Sequence, residues 1–230
     1  GKDLGNVDFA DLISSVSEID GDFWLRFMTN HPKDLTEELV KALADSSKTC
    51  KFIHLPVQAG SNRILKLMNR KYTREDYFEK IELIRRYIPD IAITTDIMVG
   101  FPTETEEDFL DTVDLVKKVG FAGAFTFIYS PREGTPAAKM AGQIVPEVSK
   151  KRIMTLIDLQ NGINREQSEK YKGKIVKILC EGYDEKKDKY LGRDSYGRMV
   201  YFDGNSGYIG KFVNVKIVET GGISLYGVIL

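Results

Sequence analysis

Four short stretches of this chain set chemistry-bearing side chains beside Gly or Pro. The first runs Met28-Thr29-Asn30-His31-Pro32-Lys33-Asp34, and the second runs from His54 through Gln58, Gly60 and Ser61 to Asn62. The third runs from Thr94 to Thr105 and holds Thr95, Asp96, Val99, Gly100, Phe101, Pro102 and Glu104. The fourth runs from Phe127 to Pro136 and holds Tyr129 and Arg132. Asp96 lies in an apolar run, where a bare carboxylate is costly, so a polar partner or a function is expected for it. Gly100, before Phe101-Pro102, suits a backbone that must approach a flat ring closely, because a side chain there would block it. His54 reads as a satisfied core histidine, and Glu104 as an acid at a helix start. The Arg63, Lys66, Arg70, Lys71, Arg74 cluster has the charge to meet phosphates, although a solvated helix face is the commoner use of such a run. No metal centre is expected: two cysteines, Cys50 and Cys180, and two histidines at unrelated spacings make neither a zinc site nor a thiolate-held cluster.

The elements that would carry these residues follow from periodicity. Apolar spacing predicts helices over 9–19, 36–43, 61–68, 73–88, 105–119 and 146–171, the last irregular near Gly162. Asp34 with Glu37 and Thr73 with Asp76 stand at capping-box spacing. Strands are expected over 24–28, 51–57, 91–99 and 121–129. Strands alternating with helices imply parallel pairing, and ligands of such folds sit at the carboxyl ends of the strands, which is where the four stretches fall. Some 165 residues are too few for an eight-unit barrel of about 250, so the α/β part reads as an open sheet or a piece of a barrel.

From about residue 170 the period changes. Segments 174–181, 189–192, 199–202, 211–218 and 223–230 are short, alternating and split by Gly, Asp and Asn, which predicts a five-strand all-β barrel of OB-like size. Residues 170–230 carry eleven Lys+Arg against seven Asp+Glu, while the whole chain has a net charge of −1. The tail is therefore the better partner for a polyanion. No apolar run reaches the ~20 residues of a membrane span and no signal peptide is evident, so no membrane partner is expected; the low cysteine count fits a reducing, cytoplasmic setting.

At the strand ends the chain resembles the radical S-adenosylmethionine methylthiotransferases. The matching segments are Asn30-His31-Pro32-Lys33-Asp34, Leu55-Pro56-Val57-Gln58-Ala59-Gly60-Ser61, Met68-Asn69-Arg70-Lys71-Tyr72-Thr73, Asp96 to Glu107, and Tyr129-Ser130-Pro131-Arg132 to Gly134-Thr135-Pro136. Their wording is most similar to the branch that acts on N6-isopentenyl-adenosine in tRNA, and the β tail resembles the TRAM domain of these enzymes. The resemblance implies an α/β fold in which residues 1–169 form the later part of a (β/α) radical SAM barrel and residues 170–230 a TRAM barrel. It implies an enzyme that adds a methylthio group to C2 of N6-isopentenyl-adenosine at tRNA position 37. Its cofactors would be S-adenosylmethionine and two [4Fe-4S] clusters in the full-length protein; its partner would be the tRNA anticodon stem-loop, bound by a monomer. The family's CxxxCxxC motif is absent from this chain, so no catalytic residue and no metal ligand is assigned within it, and the chain alone is expected to be inactive. Ala59 stands where Ser is usual, and Thr103 where Gly is usual.

By the same resemblance, Gln58, Ser61 and Asn62 would contact the ribose or amino-acid end of the cofactor. Thr95, Asp96, Val99, Gly100, Phe101 and Tyr129 would border its adenine. His31, Lys33, Arg70 and Arg132 would face tRNA. In the tail, Lys174, Lys177, Arg193, Arg198 and Lys211 would reach phosphates, with Tyr196 or Tyr201 as stacking surfaces. The alternatives are a methylthiotransferase for threonylcarbamoyl-adenosine or a ribosomal protein, a nucleic-acid-binding module without catalysis, and an aldolase-like barrel enzyme using Asp96 and Lys33.

Overall fold

The computed structural model describes residue 5 and residues 7–28 and 31–230. Asn30, which opens the first matching segment, and Thr29 lie outside the described residues. The chain divides into two compact units, one of residues 27–41 and 53–160, the other of residues 1–26, 42–52 and 161–230.

The first unit is built on a three-stranded sheet in the order β1 (Phe52–His54), β2 (Ala92–Val99), β3 (Gly123–Ile128). β2 and β3 run parallel, with Asp96 opposite Phe125 and Met98 opposite Phe127. The run after β1 continues along β2 through the Gln58 N–H to the Asp96 carbonyl and the Met98 N–H to the Gln58 carbonyl. Three helices follow the sheet: α3 (Asn62–Leu67), α4 (Arg74–Tyr87) and α5 (Glu106–Val119). Thr73 and Asp76 form the expected capping box on α4, and Thr105 and Asp108 form another on α5. The helices bury Ile53, Leu55, Tyr77, Ile84, Ile97, Leu115 and Phe121 to near-zero exposure, the large apolar burial that dominates stability. Tyr77 Oη donates to the Leu55 carbonyl at 2.8 Å, so its buried hydroxyl is satisfied. At the end of the second stretch Gly60 approaches α5 so closely that a Cβ would sit 2.4 Å from Thr112 Cα.

Three expectations need correction. The helix expected to start from an Asp34–Glu37 box is α2 (Glu37–Asp45), and its first-turn Leu39 N–H bonds Thr36 Oγ1; Asp34 belongs to a separate 3-10 turn over Pro32–Asp34. The helix expected to be irregular near Gly162 runs unbroken as α6 (Pro146–Glu169), because one Gly costs a helix only about 1 kcal/mol. The expected strand over 24–28 shrinks to one parallel bridge, Leu25 with Thr49, in which the Leu25 N–H bonds the Lys48 carbonyl and the Leu25 carbonyl accepts from the Cys50 N–H.

In the second unit, β4 (Ile175–Asp184), β5 (Lys189–Asp194), β6 (Met199–Phe202), β7 (Phe212–Gly221) and β8 (Ser224–Ile229) close a barrel in the order β4-β5-β6-β8-β7. Alternate residues Ile178 and Cys180, Val200 and Phe202, Val215 and Ile217, with Leu225, fill its interior, as a period of two requires. The same unit holds α1 (Phe9–Ser17), capped by an Asp8–Asp11 box. Cys50 and Cys180 are both buried free thiols, and burial pushes Cys50 up to about 11. Among the described residues no helix is long and apolar enough to cross a membrane.

Candidate functional site

β2 sorts the predicted residues by parity. Thr95, Ile97 and Val99 are buried, whereas Asp96 and Met98, on the opposite side, are only half-buried. Thr95 Oγ1 donates to the Leu55 carbonyl at 3.0 Å and accepts from the Val57 N–H at 3.0 Å, so it ties β1 to β2 and is spent inside the fold. Thr95 and Val99 therefore both face the buried side of β2. Ser61 and Asn62 likewise make bonds within the fold. Ser61 Oγ caps α3 and donates to Asp108 at 2.6 Å, while Asn62 bonds Glu75 and the Arg74 N–H, holding α3 to the start of α4.

What remains is a coherent patch on the other side of the sheet. Ala59, Ile64, Leu65, Tyr72 and Phe101 form a buried apolar cluster, with Met68, Met98, Tyr129 and Met140 packed against it. The Phe101 and Tyr129 rings meet edge to face at 5.2 Å. The Tyr129 hydroxyl is buried and has no hydrogen-bond partner, an arrangement that a bound polar group would relieve. Gln58 sits at φ 73°, and its backbone is held there by both bonds to β2. A non-Gly residue kept in the left-handed region by its surroundings is the kind of strain that collects at ligand sites. On the same face as Asp96, His54 Nδ1 lies 2.9 Å from Thr94 Oγ1 and its Nε2 3.5 Å from Asp96 Oδ1. Phe125 packs on the His54 ring, and Phe125 and Phe127 are both exposed. The expected core histidine is thus paired with the carboxylate that the sequence marked as unusual.

The Gly100 turn is braced from behind. Glu104 accepts from the Gly100 N–H at 2.8 Å and pairs with Arg152 at 2.8 Å, both side chains being almost fully buried. Burial pushes Glu104 up, against the pull of the Gly100 N–H and Arg152. Glu104 is therefore more than a helix-start acid. Gly100 itself has φ 73°, and a Cβ there would meet Ser149 Oγ at 2.3 Å. The glycine is required by backbone conformation and by the packing of α6, and the space that a side chain would claim belongs to Ser149. Nothing in the sequence separates Arg152 from its neighbours Lys150 and Lys151; only the packing of α6 selects it. Below the turn, burial alone would raise Asp108, but its bonds from Arg63, Ser61 and Thr105 outweigh that and hold it well below the usual range.

The cations predicted to face RNA are distributed unevenly. His31, Lys33 and Arg70 line one cleft with Lys71, whereas Arg132 is exposed in the loop after β3. In the barrel unit Lys174 and Lys211 are exposed without an ion-pair partner among the described residues. Lys177 pairs with Asp22 at 3.1 Å and lies over Phe212, and Arg193 pairs with Glu181. Arg198 stacks on Tyr171 at 4.9 Å and bonds Gln167 and Ser168. Arg198 thus braces the barrel against the Tyr171 ring. Tyr201 stacks on Tyr226 at 5.4 Å, and Lys187 covers its ring at 3.9 Å.

A sheet whose strand ends present this patch, joined to a five-strand barrel, agrees with comparisons to known proteins. Residues 1–116 match the radical SAM superfamily and residues 169–230 match the TRAM domain. The chain belongs to the radical SAM superfamily and carries a TRAM domain. It is 52% identical over 229 residues to the tRNA-2-methylthio-N(6)-dimethylallyladenosine synthase of Thermoanaerobacter sp. (strain X514), covering 99% of this chain and 49% of that protein. It is 50% identical over 232 residues to the proteins of that name from Acetivibrio thermocellus and Carboxydothermus hydrogenoformans, covering 48% and 53% of their lengths. The chain therefore spans about half the length of the curated relatives it matches. Among solved structures it is similar in fold to coproporphyrinogen III oxidase from Escherichia coli, described as a radical SAM enzyme, with a TM-score of 0.50 at 14% identity over 86% of this chain and 49% of that one.

Proposed function

We propose that this chain is the part of a tRNA methylthiotransferase that holds S-adenosylmethionine and the target nucleoside at its strand ends and grips tRNA with its TRAM barrel. The reading is carried by the identity of about 50% over the whole chain to synthases whose name states that product. The product is 2-methylthio-N6-isopentenyl-adenosine at position 37 of the anticodon stem-loop, and the enzyme works as a cytoplasmic monomer. The domain division at residues 169 and 170 belongs to the same reading.

The residues present fit the sulfonium cofactor. The orphan Tyr129 hydroxyl, the Phe101 ring and the backbone at Gln58 and Gly100 offer an aromatic edge and polar groups beside an apolar floor. Phe101 and Tyr129 would hold its adenine, and the Gln58 amide and Asp96 its polar ends. When bound, S-adenosylmethionine supplies a radical and the transferred methyl group; the chain's own residues bind, orient and exclude water. They do not fit an iron–sulfur cluster. A cluster is held by thiolates, and the chain has two cysteines, both buried. The clusters that the family uses would be held by other parts of the full-length protein.

Bulk tRNA from cells lacking the gene, digested and analysed by mass spectrometry, tests the reading. Loss of the methylthio nucleoside, with its N6-isopentenyl precursor accumulating and the gene restoring it, is expected. An unchanged nucleoside profile overturns it.

A further inference from the structure

The cleft of about 300 Å³ that gathers His31, Lys33, Arg70 and Lys71 is more organised than a solvated run of cations. It forms where α3 ends. Asn69, at φ 57°, occupies the left-handed position; its N–H bonds the Lys66 carbonyl at 3.0 Å and the Arg70 N–H bonds the Leu65 carbonyl at 2.9 Å. This crossed pair of bonds satisfies the last carbonyls of the helix, so Arg70 and Lys71 are not needed to cap it. Among the described residues no carboxylate lies within ion-pair distance of Lys33, Arg70 or Lys71, whereas Arg74 and Arg152 of the same unit are ion-paired. Asp34 is the single acid lining the cleft, which leaves a surplus of positive charge.

Two further details point to an anion. Arg70 Nε is buried and has no acceptor among the described residues, so one edge of the guanidinium fork carries an unmet donor. His31 Nδ1 accepts from the Lys33 N–H at 3.2 Å, which places the proton of the neutral ring on Nε2 and makes that atom a donor. The His31 ring rests edge-on against Tyr72 at 5.7 Å, and Tyr72 bonds the Val57 carbonyl and packs in the Phe101 cluster. The cleft is therefore one side chain away from the strand-end patch.

We infer that this cleft is a phosphate site, in which Arg70 turns its fork onto the oxyanion while Lys33 and Lys71 neutralise it and His31 adds a hydrogen bond. A phosphodiester flanking the nucleotide held at the strand ends has the charge and reach for it; a free phosphate has the same chemistry. The choice of RNA as the source rests on the function proposed above.

The test is the binding of a fluorescently labelled anticodon stem-loop RNA to the full-length protein across a salt series, with inorganic phosphate as a competitor. Arg70→Gln and, on a different element, Lys33→Gln should each weaken RNA binding about tenfold and flatten the salt dependence by roughly 0.7 to 0.9 log units per log unit of salt. Lys66→Gln, on α3 but outside the cleft, should do neither. A neutral methylphosphonate at one loop position should weaken binding to the wild type and cost nothing further in Arg70→Gln. Unchanged affinity and slope in both cleft variants overturns the phosphate site and leaves the enzyme reading standing. If inorganic phosphate binds in an Arg70-dependent way while the stem-loop does not bind, the site stands as one for free phosphate and the tRNA reading falls.

Discussion

Thr103 shows how a single side chain can stand against its backbone. Its φ of 68° is a left-handed value that a β-branched residue adopts only under constraint, and the turn is held by the Thr103 N–H bond to the Gly142 carbonyl at 2.7 Å. The family resemblance expects Gly at this position. Arg63 bonds both the Thr103 hydroxyl and its carbonyl, and only the hydroxyl bond, at an exposed site, would be lost with the side chain. Relief of strain, about 1 to 3 kcal/mol, exceeds the added entropy of an unfolded Gly, about 0.4 to 1 kcal/mol. Thr103→Gly is expected to raise stability by ~1 kcal/mol in denaturant titration, and a lower midpoint would contradict the strain argument.

At the scale of elements, the β5–β6 connection is organised by one carboxyl. Asp194 Oδ1 accepts from the Tyr196 N–H at 3.0 Å and the Arg198 N–H at 2.8 Å, while Oδ2 is buried without a partner. Burial pushes Asp194 up to about 6 against the pull of these N–H groups, Arg198 and Arg26. The folded state therefore binds a proton that the unfolded state, at an ordinary 3.8, has already released. Stability from this group is present below about pH 4 and is lost as pH rises to about 6, by up to ~3 kcal/mol. Asp108, held low by Arg63, has the opposite sign: its contribution is present above its unfolded value and lost as pH falls. Asp194→Asn keeps an acceptor for both N–H groups and cannot titrate. The difference in melting temperature between wild type and variant should change steadily from pH 4 to 6.5, and a constant difference would refute the assignment. The same connection carries Arg198, whose place in a basic tail suggested exposure and whose guanidinium lies over the Tyr171 ring.

For the whole molecule, two expectations follow from composition once the fold has sorted the charges. Of the five tail cations expected at RNA, Lys177, Arg193 and Arg198 have partners within the barrel unit, which leaves Lys174 and Lys211 without an ion pair among the described residues. Lys174→Glu with Lys211→Glu should lower affinity for several tRNAs alike and reduce the salt slope by roughly 0.7 to 0.9 for each lost phosphate contact. Loss of affinity for one tRNA alone would assign these lysines to base recognition instead. Separately, anaerobic treatment of this chain with iron and sulfide should leave no stable cluster absorbance, because two buried thiols cannot supply the usual thiolate set. A stoichiometric cluster would show that the chain carries ligands beyond its cysteines.

Most of the architecture was legible in the chain, because the signals that specify it are local. Period and caps placed α4, α5 and all five barrel strands to within a few residues, and three of the four chemistry-bearing stretches follow a strand, the first being preceded only by the Leu25 bridge. Asp96 stood out for a physical reason, the cost of burying a carboxylate, and its pairing with His54 is the outcome. Which side of the sheet a residue meets was not legible at the same level. Thr95 and Asp96 are neighbours in one strand, and only pairing with the backbone at Leu55 and Val57 spends the first while the second stays half-buried on the opposite side. Ser61 and Asn62 are as polar as any ligand contact, but residues 47 and 13 positions away claim them. Gly100 was singled out for close approach to a ligand ring, whereas the atom that a Cβ there would meet is Ser149 Oγ, far along the chain. Side-chain type is a property of the sequence; whether a polar group is spent inside or offered to a ligand depends on partners that only the tertiary fold brings within bonding distance.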